Sequence, residues 1–176
     1  MSQENHGKEG SVEILVALGS NLESPEYGPP QAILEAAVSV LPNYGIKVIQ
    51  CSSWYRSAPV PPSDQAWYVN GAARVAADLE AEDLLSRLHD VERRFGRVRR
   101  RRNESRILDL DLLAYGNRRT EAGSALTLPH PRIADRAFVL KPLMELVPNW
   151  RHPVTGETPA EMLERLPDIQ AVERIL

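Results

Sequence analysis

The chain has 176 residues, 43% of them hydrophobic, which is enough for one domain to bury roughly 70% of its unfolded surface and hold a core unaided. A net charge of −3 with a pI near 5.8 gives no global attraction to polyanions or anionic membrane surfaces. The single cysteine, Cys51, excludes an internal disulfide, a thiolate zinc site and a CxxC redox pair, and no run of about 18 apolar residues is available to cross a membrane.

Met1 to Gly10 is polar, lacks the apolar stretch of a signal peptide, and reads as a disordered leader to a single domain over 11–176 in a cytoplasmic protein. Val12 to Leu18 is an apolar run closed by the turn residues Gly19-Ser20-Asn21, which predicts a central strand. Ile33, Ala37, Val40 and Leu41 then recur at helical spacing between Pro29-Pro30 and Pro42-Asn43, giving one amphipathic helix. Ile46 to Tyr55 and Tyr68 to Leu79 are strand candidates, separated by Ala58 to Ser63, a loop stiffened by Pro59, Pro61 and Pro62.

Between Ala81 and Phe95, Leu84, Leu88, Val91 and Phe95 form a helical stripe, with His89, Glu92 and Arg93 assigned to the opposite face. Ile107 to Tyr115 is a strand ending at Gly116-Asn117. Leu126 to Leu128 is expected to add a short strand, Arg136 to Val147 a helix containing Pro142, and Thr158 with Glu161 a capping box opening a last helix. This order describes an α+β fold with helices packed on one sheet.

The strongest chemical signal is Asp109-Leu110-Asp111. Residues i and i+2 of a strand face the same way, so the two carboxylates stand about 7 Å apart on one side while Leu108, Leu110 and Leu112 take the other. Such a pair repels itself and loses hydration unless it is solvated or meets cations. Magnesium suits it, because that ion takes one or two carboxylates and completes its shell with phosphate oxygens and water. Two ions roughly 4 Å apart on such a pair can support in-line displacement at phosphorus.

Arg supplies 18 of the 21 basic residues, and eight of these lie between Arg93 and Arg106, immediately before the Asp strand. Guanidinium forks bind phosphate oxygens in pairs, so the loop from Arg97 to Arg106 reads as a triphosphate clamp. On composition alone it also fits a solvated loop or a nucleic-acid patch, and the acidic pair favours a nucleotide. A metal-dependent nucleotide hydrolase remains a further alternative at this point. His130 and Arg136 are candidate phosphate contacts, and Trp67 to Asn70 with Phe138 offer apolar faces and an amide for a heterocycle. No GxxxxGK[ST] loop occurs, so a P-loop enzyme is excluded.

With these residues in place the sequence resembles the 6-hydroxymethyl-7,8-dihydropterin pyrophosphokinases of folate biosynthesis, from about Val12 to Gly156. The resemblance is carried, in order, by Ala17 to Leu22, Ser53 to Ser57, Tyr68-Val69-Asn70, Glu92 through Gly96 to Arg99, Arg106 through Leu108 to Asp111, and Leu126 to His130 with Arg136 and Phe138. It implies a ferredoxin-like antiparallel sheet with helices packed on it, and transfer of pyrophosphate from ATP to the pterin hydroxyl with two magnesium ions on Asp109 and Asp111. It further implies Arg97 and Arg106 as catalytic partners of those aspartates. Ser57, Ala58, Val60, Tyr68, Asn70, Asp109 and Phe138 would line the pterin pocket. His89, Glu92, Arg97, Arg99, Arg102, Arg106, Leu112, Thr127, His130 and Arg136 would surround ATP. The implied enzyme is a monomer acting on small molecules, without nucleic-acid or membrane partners. Three departures stand out: Asn103-Glu104-Ser105 replaces a frequent Trp-Gly-Pro, Ala58 a frequent proline, and Ala125 an Arg found in some members.

Overall fold

The computed structural model describes residues 12–97, 106–121, 123–168 and 170–176. The leader over 1–10 and most of the arginine loop, including Arg99, Arg102 and Asn103 to Ser105, lie outside the described residues.

Strand β1 (Ile14–Ser20) is flanked by β4 (Tyr68–Ala76) and β5 (Asp109–Tyr115), and all its pairings are antiparallel. Six of its seven residues are buried, as expected of a central strand covered on both faces. The nine residues of β4 serve two neighbours. Its C-terminal half pairs with β2 (Lys47–Cys51) and its N-terminal half with β3 (Tyr55–Ser57), which in turn pairs with β6 (Val172–Arg174). With α1 (Pro30–Val40) between β1 and β2, and α2 (Ala81–Arg94) between β4 and β5, the order β5-β1-β4-β2 is the ferredoxin-like arrangement. The antiparallel α+β expectation is met.

Alternation along the strands sorts the core into two layers. Ile14, Val16 and Leu18 of β1, Ala73 and Val75 of β4, and Leu110 and Leu112 of β5 pack under α1 and α2 against Ile33, Leu34, Leu84, Leu88 and Val91. Each fully buried aliphatic side chain there contributes about 1.5–3 kcal/mol. Leu15, Ala72, Leu113 and Ala114 meet the opposite layer, formed by α3 (Ala137–Leu146) and α4 (Pro159–Glu164) through Val139, Leu140, Leu143 and Met162. A register shift between Leu15 and Val16 on the β1–β5 ladder lets Leu113 and Ala114 both reach this layer.

Helix α1 begins with Pro30 where its missing N–H costs no bond, and α2 carries Glu82 and Asp83 in its first turn and Arg93 and Arg94 in its last, matching the helix dipole. The capping box of Thr158 and Glu161 is formed, opening α4.

The structure corrects three expectations. Ile46 to Tyr55 is two strands, because the Ser52 hydroxyl accepts the Ala72 N–H at 3.0 Å and Trp54 crosses over Gly71. A Cβ at Gly71 would sit 2.5 Å from the Trp54 ring, so only glycine allows this crossing. Leu126 to Leu128 is not a strand: its side chains at 126 and 128 are buried, while the Leu128 N–H donates to Thr120 Oγ1 at 2.8 Å. Glu92, assigned to the outer face of α2, is 1% exposed.

Candidate functional site

The sheet face under α3 is only partly covered, and the uncovered part is built from small residues. In register, Ala17 lies between Asp111 on β5 and Ala72 on β4, and Gly19 between Asp109 and Asn70. Cross-strand partners share a face, so Ala17 and Gly19 form a low floor between a carboxylate wall and a wall of Asn70 and Tyr68. The result is a cavity of about 200 Å³, roofed by Arg136 and Phe138 at the start of α3 and by the Ala58–Pro61 loop. A Cβ at Gly19 would come within 3.2 Å of Asn70 Oδ1, so the absent side chain keeps the floor open.

All seven residues expected around a pterin, Ser57, Ala58, Val60, Tyr68, Asn70, Asp109 and Phe138, line this one cavity. Asn70 is buried, and its Nδ2 donates to Ser57 Oγ at 2.7 Å, which fixes the direction of its amide. The Phe138 ring lies under the Arg136 guanidinium, 5.5 Å from ring centroid to Cζ.

The carboxylate wall is surrounded by cationic and neutral donors. Arg106 Nη1 donates to Asp109 Oδ2 at 2.7 Å, and Arg97 bridges Asp109 and Glu92. Glu92 also accepts the Leu110 N–H at 2.8 Å, tying α2 to the strand that carries the acids. Among the described residues Asp111 has no partner so near. Arg136 Nη1 stands 3.9 Å and His130 Nε2 4.0 Å from its Oδ2, beyond hydrogen-bond reach. Burial and then the neighbouring Asp109 charge push the Asp111 carboxyl up to about 6, against the pull of Arg136.

Burial, followed by the charges of Arg136 and Arg132, lowers His130 to about 4, so its ring is neutral near pH 7. The Arg132 N–H donates to His130 Nδ1 at 3.2 Å, which leaves Nε2 as the N–H facing Asp111. His130 is therefore a neutral donor, suited to a phosphate oxygen.

Of the residues expected around ATP, the structure brings Glu92, Arg97, Arg106, His130 and Arg136 to the two aspartates. Leu112 does not point there: its side chain is 2% exposed in the layer beneath α1 and α2. Arg106 and Arg136 line the cavity itself, Arg97 with its partner Glu92, and His130, reach only its aspartates, and His89 and Thr127 are not among its lining residues. Sequence reasoning missed Asn21, whose Oδ1 accepts the Arg106 N–H at 2.9 Å and whose own N–H donates to Arg106 O at 3.2 Å. Asn21 thus clasps the end of the arginine loop to β1, and its place directly after the strand end was the available signal. Gln65, which accepts from Tyr68 Oη at 3.1 Å on the cavity wall, carried none.

The aspartate pair fits magnesium on its donor chemistry. Among the described residues no group of three or more His, Cys, Asp or Glu could enclose an ion. Two hard oxygen donors open to a cavity suit a cation that shares its shell with phosphate and water. Among the described residues Arg136 offers Asp111 its nearest positive charge, at 3.9 Å, which leaves its carboxylate suited to a cation that arrives.

Comparisons with known proteins bear on family and fold. The chain is 40% identical over 153 residues to the 2-amino-4-hydroxy-6-hydroxymethyldihydropteridine pyrophosphokinase of Synechocystis, covering 86% of this chain and 75% of that protein. It is 39% identical to the Pseudomonas aeruginosa protein of that name, covering 88% of this chain and 96% of that one. The crystal structure of Plasmodium falciparum HPPK-DHPS superposes with a TM-score of 0.66 over 90% of this chain at 13% identity, and so supports the fold. This chain spans 45% of that one. Among the described residues no helix is long and apolar enough to cross a membrane. A family model described as 7,8-dihydro-6-hydroxymethylpterin-pyrophosphokinase (HPPK) matches residues 15–148, from β1 through α3 and every side chain of the cavity, and the chain belongs to that family.

Proposed function

We propose that the cavity floored by Ala17 and Gly19 is where ATP and the pterin meet, with Asp109 and Asp111 holding two magnesium ions between them. The chain is an ATP-dependent pyrophosphokinase of folate biosynthesis, transferring pyrophosphate to 6-hydroxymethyl-7,8-dihydropterin and releasing AMP. The observation that carries the site reading is the shared face. Both acids, the Asn70 amide and the Phe138 ring open into a single pocket.

In this reading the pterin ring lies between Tyr68 and Phe138, with Asn70 hydrogen-bonding its edge and the Val60 loop closing one side. Its hydroxymethyl oxygen then reaches the aspartate wall, where it attacks the β-phosphorus in line as the bond to the α-phosphate oxygen breaks. The ions, when bound, would lower the pKa of that hydroxyl and neutralise charge spread over the phosphate oxygens. Arg97 and Arg106 start the reaction held on Asp109 and can turn to phosphate as cations take their place. Arg136 and the neutral His130 donate from the opposite side. Positioning and electrostatics suffice for phosphoryl transfer, and no dedicated protein base is required. Arg99, Arg102, His89 and Thr127 complete the nucleotide side of the proposal, with the backbone at Leu112 in place of its side chain. The enzyme is taken to work as a cytoplasmic monomer, one domain over 11–176 behind a short leader, on small molecules and not on nucleic acid.

Calorimetric titration tests the site. With magnesium, α,β-methylene ATP should bind the parent chain and then admit the hydroxymethyl dihydropterin. Asp109→Ala should abolish the magnesium dependence of that first step. A variant titrating like its parent would remove Asp109 from the site.

A further inference from the structure

The last seven residues lie beyond the stretch matched by the family model, yet they bind both walls of the cavity. Strand β6 pairs with β3, Val172 opposite Ser57, and the Ala58 N–H donates to Ala171 O at 3.2 Å. On the other side Lys141 Nζ of α3 donates to Val172 O at 2.8 Å. The tail therefore joins the strand that presents Ser57 and Ala58 to the helix that presents Arg136 and Phe138.

Gln170 is the residue through which this junction reaches the site. Helix α3 starts at Arg136 with no side-chain cap of its own, and Arg136 is extended, at φ −127° and ψ 103°. The Ala137 N–H, one of the first-turn donors a helix leaves unmatched, donates to Gln170 Oε1 at 2.9 Å. Gln170 Nε2 in turn donates to Asp135 O at 2.9 Å. One side-chain amide thus brackets Arg136, holding the peptide groups on both sides of it. Only a terminal amide of this length supplies acceptor and donor together: a carboxylate lacks the donor, and alanine lacks both.

We infer that Gln170 is a positioning residue for Arg136, a cap supplied by the C-terminal tail that sets the guanidinium over Phe138 and 3.9 Å from Asp111. The inference rests on the reading of Arg136 as a phosphate contact. Arg136 sits at a junction between a short 3₁₀ turn (Ile133–Asp135) and α3. Its N–H donates to Ile133 O at 3.4 Å on one side and its carbonyl accepts the Val139 and Leu140 N–H groups at 3.0 Å on the other, and Gln170 ties the two elements together across it. Without the bracket the binding-competent orientation becomes one of several, and apparent affinity falls by the fraction of time it is lost.

The test is a cycle of four full-length chains: parent, Gln170→Ala, Arg136→Ala and the double variant. Affinity for magnesium α,β-methylene ATP is measured by calorimetry, and kcat and KM for ATP and hydroxymethyl dihydropterin by AMP release. Gln170→Ala should weaken the analogue and raise KM for ATP about three- to tenfold, from two lost hydrogen bonds, with kcat within twofold. Gln170→Glu, which keeps the acceptor and the shape, should recover part of that loss. In the Arg136→Ala background the Gln170→Ala effect should vanish. If Gln170→Ala leaves affinity unchanged, or its effect persists in full without Arg136, the positioning role is overturned while the site reading stands. If Arg136→Ala alone changes nothing, the phosphate role of Arg136 fails, and the inference built on it fails too.

Discussion

The two faces of the β5-β1-β4 sheet are made by the same strands and do opposite things. On the face under α1 and α2, every inward position is apolar and dry: Val16, Leu18, Leu110 and Leu112 are all 2% exposed or less. One residue along in each strand, the other face carries Ala17, Gly19, Asp109 and Asp111, and α3 covers it only as far as Leu15, Ala72 and Leu113. The period of two in a strand lets one sequence supply a close-packed layer and a charged cavity without a loop between them. Stability is concentrated on the first face and, in the proposed function, chemistry on the second. Asp111 even opposes folding slightly, since burial disfavours its charge.

Adjacent residues of β5 give the largest test of that division. Asp111→Asn should lower turnover 100-fold or more, about 3 kcal/mol of transition-state stabilisation, while leaving ligand-free thermal stability equal to or above the parent's. Leu110→Ala should do the reverse. It should cost about 2–5 kcal/mol of folding stability in chemical denaturation, with turnover per folded molecule within a few-fold of the parent. If Leu110→Ala lost activity while folded, or Asp111→Asn lost stability, the faces would not be separable in this way.

The same comparison explains what could be read before the structure. The aspartate pair, the leucines that alternate with it and the stripe of α2 follow from periods of 2 and 3.6, which are local. Glu92 was legible too, since it follows Leu88 by four residues and so falls on the apolar stripe; its charge suggested solvent, whereas Arg97 and the Leu110 N–H satisfy it within the fold. What was not legible depends on residues distant in sequence. Asn21 clasps Arg106 across 85 residues, Trp54 breaks a strand by lying over Gly71, and Gln170 reaches back 33 residues to α3. Each such partnership is set by tertiary register, which no local pattern specifies. The short β6 borrows its pairing from β3 in the same manner.

A smaller effect probes the cavity floor. Gly19→Ala adds one methyl on the open face, 3.2 Å from Asn70 Oδ1, and turns the amide or lifts the bound ring. KM for the pterin should rise about three- to tenfold, the scale of one displaced contact, while KM for ATP and the melting temperature change little. Ala72 lies on the same face but under α3, so Ala72→Gly should affect stability and leave the pterin KM alone. A Gly19→Ala enzyme with unchanged pterin KM would mean that the ring does not rest on β1.

The smallest effect is in pH, and it isolates the cost of holding Asp111 ready. The folded chain raises that carboxyl from 3.8 to about 6, so it binds the proton more tightly than the unfolded chain does. The stability this contributes is fully present below about pH 4 and is lost as pH rises through about 6. With the side chain 34% exposed, solvent screening reduces the loss to about 1 kcal/mol. Asp111→Asn has no such proton to lose, and titrating groups remote from Asp111 cancel between the two proteins. In ligand-free denaturation, the variant should therefore gain on the parent by about 1 kcal/mol between pH 4 and pH 7.5 and then level off. Magnesium with α,β-methylene ATP should invert the order at pH 7.5, because only the parent gains binding energy from a cation at that position. A difference independent of pH, or an order unchanged by the nucleotide, would show that the strain on Asp111 is not relieved by a cation at this site.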